Sequence, residues 1–219
     1  MAKAPAVVLC SGGLRSLVCA GLAAREMRIA MLHLKDHRVT ATQALAAYEQ
    51  QVAHFKPLKS WQLEAGFLRQ MSLPPETAGL VTSTSSDPQS PLIPLRELQL
   101  LSLAAGFARQ IKAGTIFWGV QYDPKASDAL ARNIELVQVY NQLLEVLSPE
   151  TPLVVRTPLM GLEDHQLIEL GYQINVPFAA TWSCQMPGER PCMACASCSR
   201  RLRAFRAAQL QDPLMTIKK

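Results

Sequence analysis

A chain of 219 residues is long enough for one α/β domain with a substantial core and too short for two full domains joined by a linker. Its hydrophobic fraction of 49% and charged fraction of 18% are those of an ordinary globular protein, and no apolar run approaches the ~20 residues of a helical membrane span, so a soluble protein is expected. The net charge of +5 is local: Arg190, Arg200, Arg201, Arg203 and Arg206 crowd near the end of the chain and read as a solvated helix face, the alternative being a site for an anionic ligand or nucleic acid.

Residues 1–219 are therefore expected to form one domain, with a metal-binding segment at 182–209. Met1 to Val8 lacks the separate charged, apolar and cleavage regions of a signal peptide, so the expected location is cytoplasmic. Small-molecule substrates are the expected partners, without membrane or nucleic acid, and a homodimer is allowed for.

Along the chain, Ala6 to Cys10 is a short apolar run closed by Ser11-Gly-Gly, after which Leu14, Leu17, Val18, Gly21 and Leu22 recur at helical spacing. The pattern predicts strand, tight turn, helix. Ile29 to Leu34 predicts a second strand, and Thr40 to Phe55 a helix opened by a Thr cap and stopped before Pro57. Lys59 to Leu63 predicts a third strand. From Ala65 to Pro94 the sequence is rich in Pro, Ser and Thr, centred on Thr82 to Pro88, which predicts a long ligand-covering loop.

Arg96 to Lys112 reads as a helix with Leu98, Leu101, Leu103 and Phe107 inward, followed by a strand over Thr115 to Val120. Ser127 to Leu147 predicts a second long helix and Leu153 to Val155 a strand. Glu163 to Leu170 predicts a helix ended by Gly171, and Ser199 to Gln209 a last helix after the cysteines. Strands alternating with helices predict a parallel sheet covered on both faces, with ligands at the carboxyl ends of the strands.

Two constellations carry chemistry. Four of the six cysteines, Cys184, Cys192, Cys195 and Cys198, have the two-residue gaps that let a tight turn supply adjacent thiolates to a tetrahedral zinc ion, and a shell with every position filled is structural rather than catalytic. Free cysteines and an iron–sulfur cluster are the alternatives. Ser11-Gly-Gly-Leu-Arg-Ser16 lies between a strand and a helix, where glycines let backbone N–H groups converge on phosphate and the helix adds its positive end. The alternative is a simple turn.

Together these ends resemble the 7-cyano-7-deazaguanine synthase family of the PP-loop ATP pyrophosphatase superfamily: an S-G-G-x-D-S loop after the first strand and W-S-C…P-C-x-x-C-x-S-C near the C-terminus. Arg96 to Gly106, Thr157-Pro-Leu159 with Leu170-Gly171, and Cys198 to Phe205 are also similar to family segments, so the resemblance covers nearly the whole chain. It implies a parallel-sheet, Rossmann-like PP-loop fold with a C-terminal four-cysteine zinc site. It further implies a loop of Cys10, Ser11, Gly12, Gly13, Leu14, Arg15 and Ser16 that binds ATP. The implied ligation adenylates the carboxylate of 7-carboxy-7-deazaguanine, captures it with ammonia and dehydrates the amide to a nitrile with a second ATP. A divergent relative serving as a nucleotide- or base-binding scaffold, or one activating another carboxylate, fits the same motifs.

The sequence departs from the family where charge matters. Arg15 stands where the family loop has Asp, and an arginine cannot ligate the Mg²⁺ that normally accompanies ATP; it either pairs with a phosphate or faces solvent. The P-G-R-N segment reads Pro94-Leu-Arg-Glu97 and the D-C-R-P run reads Leu130-Ala-Arg-Asn133, which leaves Arg96 and Arg132 to receive a carboxylate or phosphate, unless they are helix-surface charges. His33 and His37 near the end of the second strand are candidates for a general base. Trp118 and Tyr122 either stack on a purine or pack in the core.

Overall fold

Pro5–Leu9, Arg28–Lys35, Ser60–Glu64, Thr115–Trp118 and Val154–Arg156 form strands β1 to β5. Leu14–Glu26, Ala41–Phe55, Arg96–Gln110, Ser127–Leu147, Asp164–Gln173 and Ala196–Ala207 form helices α1 to α6. The structure is a computed structural model and describes residues 3–36, 38–72, 95–122, 124 and 127–214.

The five strands pair in parallel in the order β3-β2-β1-β4-β5. The apolar run of β1 explains its central place, since a parallel strand with helices on both sides has no wet face. Ala6 and Val8, with Met31 and Phe117, point into one core against Leu17, Val18, Tyr48, Ile168 and Phe205 of α1, α2, α5 and α6. Val7 and Leu9, with Leu32 and Ile116, point into the other against Leu101, Ala104, Val137 and Tyr140 of α3 and α4. Leu17, Val18, Met31 and Leu32 are wholly excluded from water, each contributing about 1.5–3 kcal/mol of transfer free energy.

From β1 the chain winds outward through β2 to β3, then returns to place β4 on the other side of β1. Between the carboxyl ends of β1 and β4 the winding therefore reverses, and such a switch point opens the crevice where α/β sheets hold ligands. The turn after β1 lies there.

Four expectations are corrected. Thr40 precedes α2 but its side chain makes no capping hydrogen bond; the helix does stop at Phe55, before Pro57, with Lys56 as its C-cap in the left-handed region at φ 46°. Helix α5 runs through Gly171 to Gln173; a Cβ on Gly171 would lie 2.5 Å from Phe178, so this glycine permits packing rather than ending the helix. The last helix begins at Ala196 and includes Cys198, because the Cys195 side chain caps it by accepting the Cys198 N–H. A 3₁₀ helix, Gly66–Met71, occupies the start of the expected loop; residues 73–94 and His37 lie outside the described residues.

Candidate nucleotide loop and metal centre

The turn after β1 is held by its own hydroxyls. Cys10 N–H donates to the Leu32 carbonyl at 2.8 Å, continuing the strand ladder into the turn. Ser16 Oγ then receives the Ser11 N–H at 3.2 Å and donates to the Gly13 carbonyl at 3.1 Å, tying the two ends of the turn together. Gly12 sits at φ +79°, and a Cβ there would fall 2.3 Å from the Ala44 carbonyl oxygen; the position demands glycine for both conformation and space. Helix α1 starts at Leu14 with Gly13 as N-cap and no side-chain cap. Its first-turn N–H groups thus receive no side-chain cap, at the positive end of the helix.

The four cysteines converge as their spacing predicts. Their Sγ atoms all lie within 4.8 Å of one another, close to the ~3.8 Å edge of a tetrahedron drawn at ~2.3 Å from a metal. Backbone N–H groups of Met186 and Cys192 donate to Cys184 Sγ at 3.4 and 3.3 Å, that of Cys195 to Cys192 Sγ at 3.3 Å, and that of Cys198 to Cys195 Sγ at 3.5 Å. These bonds favour thiolates: the N–H groups of Ala194 and then Cys195 bring the Cys192 thiol down to about 6. Burial raises the thiols of Cys184 and Cys198. The donor set fits a resident metal ion, with four sulfurs and no open position.

The two features touch. Trp182 N–H, two residues before the first metal-site cysteine, donates to the Gly12 carbonyl at 2.9 Å. Helix α6 is anchored behind that contact by Arg201, which is 2% exposed. Its Nε and Nη2 donate to both oxygens of Asp212 at 2.6 and 2.8 Å, Nη1 to Thr181 Oγ1 at 2.6 Å, and Nη2 to the Phe178 carbonyl at 3.2 Å. One buried guanidinium thus joins α6, the 178–183 segment and the following tail.

Residues 5–209 match the family model described as queuosine biosynthesis protein QueC. The chain belongs to the QueC family. It is 32% identical to 7-cyano-7-deazaguanine synthase of Chlorobium phaeobacteroides strain BS1, over 95% of this chain and 95% of that protein. The corresponding protein of Chlorobium limicola strain DSM 245 is 30% identical over the same shares. Among solved structures, the U34-tRNA thiolase NcsA of Methanococcus maripaludis is similar at a TM-score of 0.47 and 11% identity, covering 95% of this chain and 66% of that one.

Against the QueC pattern, the reading of Arg15 as a solvent-facing residue is corrected. Arg15 is half-buried. Together with Leu14, Asp164, Ser183, Ser197, Arg200, Arg201 and Ala204 it lines a cavity of about 100 Å³. Burial first, then the like charge of Arg200, lowers its pKa, with Asp164 acting in the opposite sense. Arg200 Nε and Nη2 grip both oxygens of Asp164 at 2.7 Å each. The basic C-terminal cluster is therefore divided, with Arg203 and Arg206 exposed and Arg200 and Arg201 turned inward.

The remaining candidates separate. His33 is 2% exposed, donates from Nδ1 to the Cys10 carbonyl at 2.8 Å and stacks on Tyr48; burial lowers its pKa, and the hydrogen bond ties it to the start of the turn. Trp118 and Tyr122 belong to the core, where Tyr122 Oη donates to Asn133 Oδ1 at 2.7 Å. Arg96 opens α3 within electrostatic reach of Asp36: burial pushes that carboxyl up, but Arg38 and Arg96 outweigh it and hold it low. Arg132 is exposed on α4. Sequence reasoning missed Asp164, Ser183 and Ser197 as cavity residues, because helix packing alone brings them to the loop. It also missed Gln121 after β4, which donates to the Leu162 carbonyl at 2.8 Å while its buried Oε1 has no partner among the described residues.

Proposed function

We propose that this protein is an ATP-dependent carbon–nitrogen ligase that makes 7-cyano-7-deazaguanine from 7-carboxy-7-deazaguanine and ammonia in the cytoplasm. The observation that carries the reading is the hydrogen bond from Trp182 N–H to the Gly12 carbonyl, which joins the glycine turn to the cysteine shell at the switch point of a QueC-family sheet. This bond brings a motif from each end of the chain into contact.

A carboxylate is a poor electrophile, since its charge repels ammonia and oxide is a very poor leaving group. In the proposed reaction a carboxylate oxygen attacks the α-phosphate of ATP, the bond to the β-phosphate oxygen breaks, and pyrophosphate leaves with the electron pair. The resulting acyl adenylate is attacked by ammonia, and AMP departs to give the amide. A second adenylation, on the amide oxygen, lets AMP leave with that oxygen as two protons are lost, which leaves the nitrile.

The turn of Cys10, Ser11, Gly12, Gly13, Leu14, Arg15 and Ser16 is the proposed ATP site, where open N–H groups and the α1 terminus stabilise the departing pyrophosphate. Arg96 and Arg132 are the proposed carboxylate-binding cations. Cys184, Cys192, Cys195 and Cys198 would hold zinc, which supplies structural cross-linking in a closed shell. The family's Mg²⁺ is not fitted by the cavity beside the loop: its acidic lining residue is Asp164, whose two oxygens are both taken by Arg200.

Incubation with ATP, Mg²⁺, ammonia and 7-carboxy-7-deazaguanine tests the reading, with AMP and nitrile quantified together. Stoichiometric appearance of both supports it. ATP binding without AMP or nitrile identifies a scaffold, and AMP formed only with another acid identifies another carboxylate substrate.

A further inference from the structure

The cavity beside the loop is built at the meeting of three helix N-termini. Leu14 and Arg15 open α1, Asp164 opens α5, and Ser197 lies in the first turn of α6. The ends of α5 and α6 are closed within the protein, α5 by a Glu163–Gln166 capping box and α6 by the Cys195 side chain. Helix α1 has neither a capping box nor a side-chain cap.

Charge points the same way. The lining holds Arg15, Arg200, Arg201 and Asp164, but Arg201 is neutralised by Asp212 and Arg200 by Asp164, each through two hydrogen bonds. Arg15 is left over. Among the described residues its guanidinium has no hydrogen-bond or ion-pair partner, although the residue is half-buried and within electrostatic reach of Arg200 and Asp164. A half-buried cation whose nearby carboxylate is already gripped by another arginine favours a bound anion. Ser183 and Ser197 add hydroxyl donors to the wall. The volume of about 100 Å³ far exceeds the ~10–15 Å³ that a single water requires.

We propose that this cavity is an anion site for a terminal phosphate group, in which the Arg15 guanidinium supplies the counter-charge that a divalent cation would otherwise bring to the loop. The site deepens the proposed function and rests on the loop being a phosphate site. A planar guanidinium donates two parallel N–H bonds to two phosphate oxygens, matching the anion's geometry while remaining positive at any working pH. Position 15 thus couples the loop to α5 and α6 through charge, so that the departing pyrophosphate is held by residues of this chain.

Calorimetric titration of the purified protein with sodium pyrophosphate, ATP and AMP, in EDTA and again in excess Mg²⁺, tests this. Pyrophosphate should bind in EDTA within about threefold of its affinity in Mg²⁺. Arg15→Ala should weaken the EDTA binding tenfold or more, since ~1.4 kcal/mol is a factor of ten; Arg15→Lys should recover part of it, and AMP should be insensitive to residue 15. Arg15→Asp should make pyrophosphate binding depend on Mg²⁺. Thermal melting and metal content, measured on every variant, separate a lost site from a lost fold. Pyrophosphate binding that requires Mg²⁺ in the unaltered protein, or that survives Arg15→Ala in EDTA, overturns the inference while leaving the ATP loop standing if Gly12→Val still abolishes ATP binding. Failure of ATP and pyrophosphate to bind under any condition overturns both.

Discussion

The glycine turn and the cysteine shell sit at opposite ends of the chain, yet meet through a backbone hydrogen bond from Trp182 to Gly12. They are encoded differently. The shell is made by side chains whose chemistry is declared by residue type, so four sulfurs at two-residue gaps announce a metal site before any fold is known. The turn is made by backbone, and its value depends on what surrounds it: the Ala44 carbonyl that forbids a Cβ at Gly12, and the α5 and α6 residues that close a cavity over Arg15. Loss of the shell should therefore be felt as loss of structure, and damage to the turn as loss of ligand.

The largest effect is expected from the shell. Purified protein should carry about one zinc per chain, and Cys195→Ala or Cys198→Ser should abolish it. Structural zinc sites bind with apparent free energies of roughly 10–16 kcal/mol in small domains, so even a fraction of that value should lower the melting temperature by more than about 10 °C. Emission spectroscopy for metal and a melting scan decide the matter. Protein purified without chelator that folds normally and holds no zinc would show that the sulfurs are simply thiols.

The anchor between the two regions should come next. Asp212→Ala strands the Arg201 guanidinium, which is 1% exposed at its side chain, and breaking one side of a buried ion pair costs about 3–5 kcal/mol. A fall in melting temperature of about 10 °C is expected with zinc content retained. If zinc leaves with Asp212, shell and anchor form one cooperative unit and the separation drawn between them fails.

Much of this architecture was legible in the sequence, and the residues that were not share a physical reason. The apolar runs at Ala6 to Cys10 and Ile29 to Leu34 identified β1 and β2, because a strand buried on both faces has no polar alternation to obscure it. Gly171 misled, since a glycine near a helix end reads as a stop while here it makes room for Phe178. Arg201 misled similarly: its basic neighbourhood suggested a wet face, whereas Asp212, eleven residues on, is the partner that lets it be buried. Arg15 was visible as a departure from the family loop. Its surroundings were not, because Asp164 and Arg200 reach it only through the packing of α5 and α6 against α1.

In the turn, Gly12→Val should remove detectable ATP binding and leave zinc in place. The new side chain meets a backbone carbonyl at 2.3 Å and must adopt φ +79°, a conformation that costs a β-branched residue about 1–3 kcal/mol. Calorimetry beside metal analysis gives both readouts at once. Unchanged ATP affinity in the variant would reduce the loop to a turn and erase one side of the comparison.

The smallest structural effect is expected at Arg132, and there the contrast between structure and ligand is sharpest. The residue is exposed on α4, and exposed charges away from caps and buried networks usually change stability by less than about 0.5 kcal/mol when replaced. Arg132→Ala should therefore melt with the unaltered protein and keep its zinc. A guanidinium that receives a substrate carboxylate, however, is worth about 1.5–3 kcal/mol as a charged hydrogen-bond donor. The KM for the deazapurine carboxylate should accordingly rise about tenfold or more, with the KM for ATP unchanged. Arg96→Ala gives a parallel measurement, complicated by Asp36, whose carboxyl Arg96 helps to hold low and whose pKa should rise in the variant. If Arg132→Ala changes neither KM, the arginine is a solvated charge on a helix face, and the carboxylate must be met by residues nearer the Arg15 cavity.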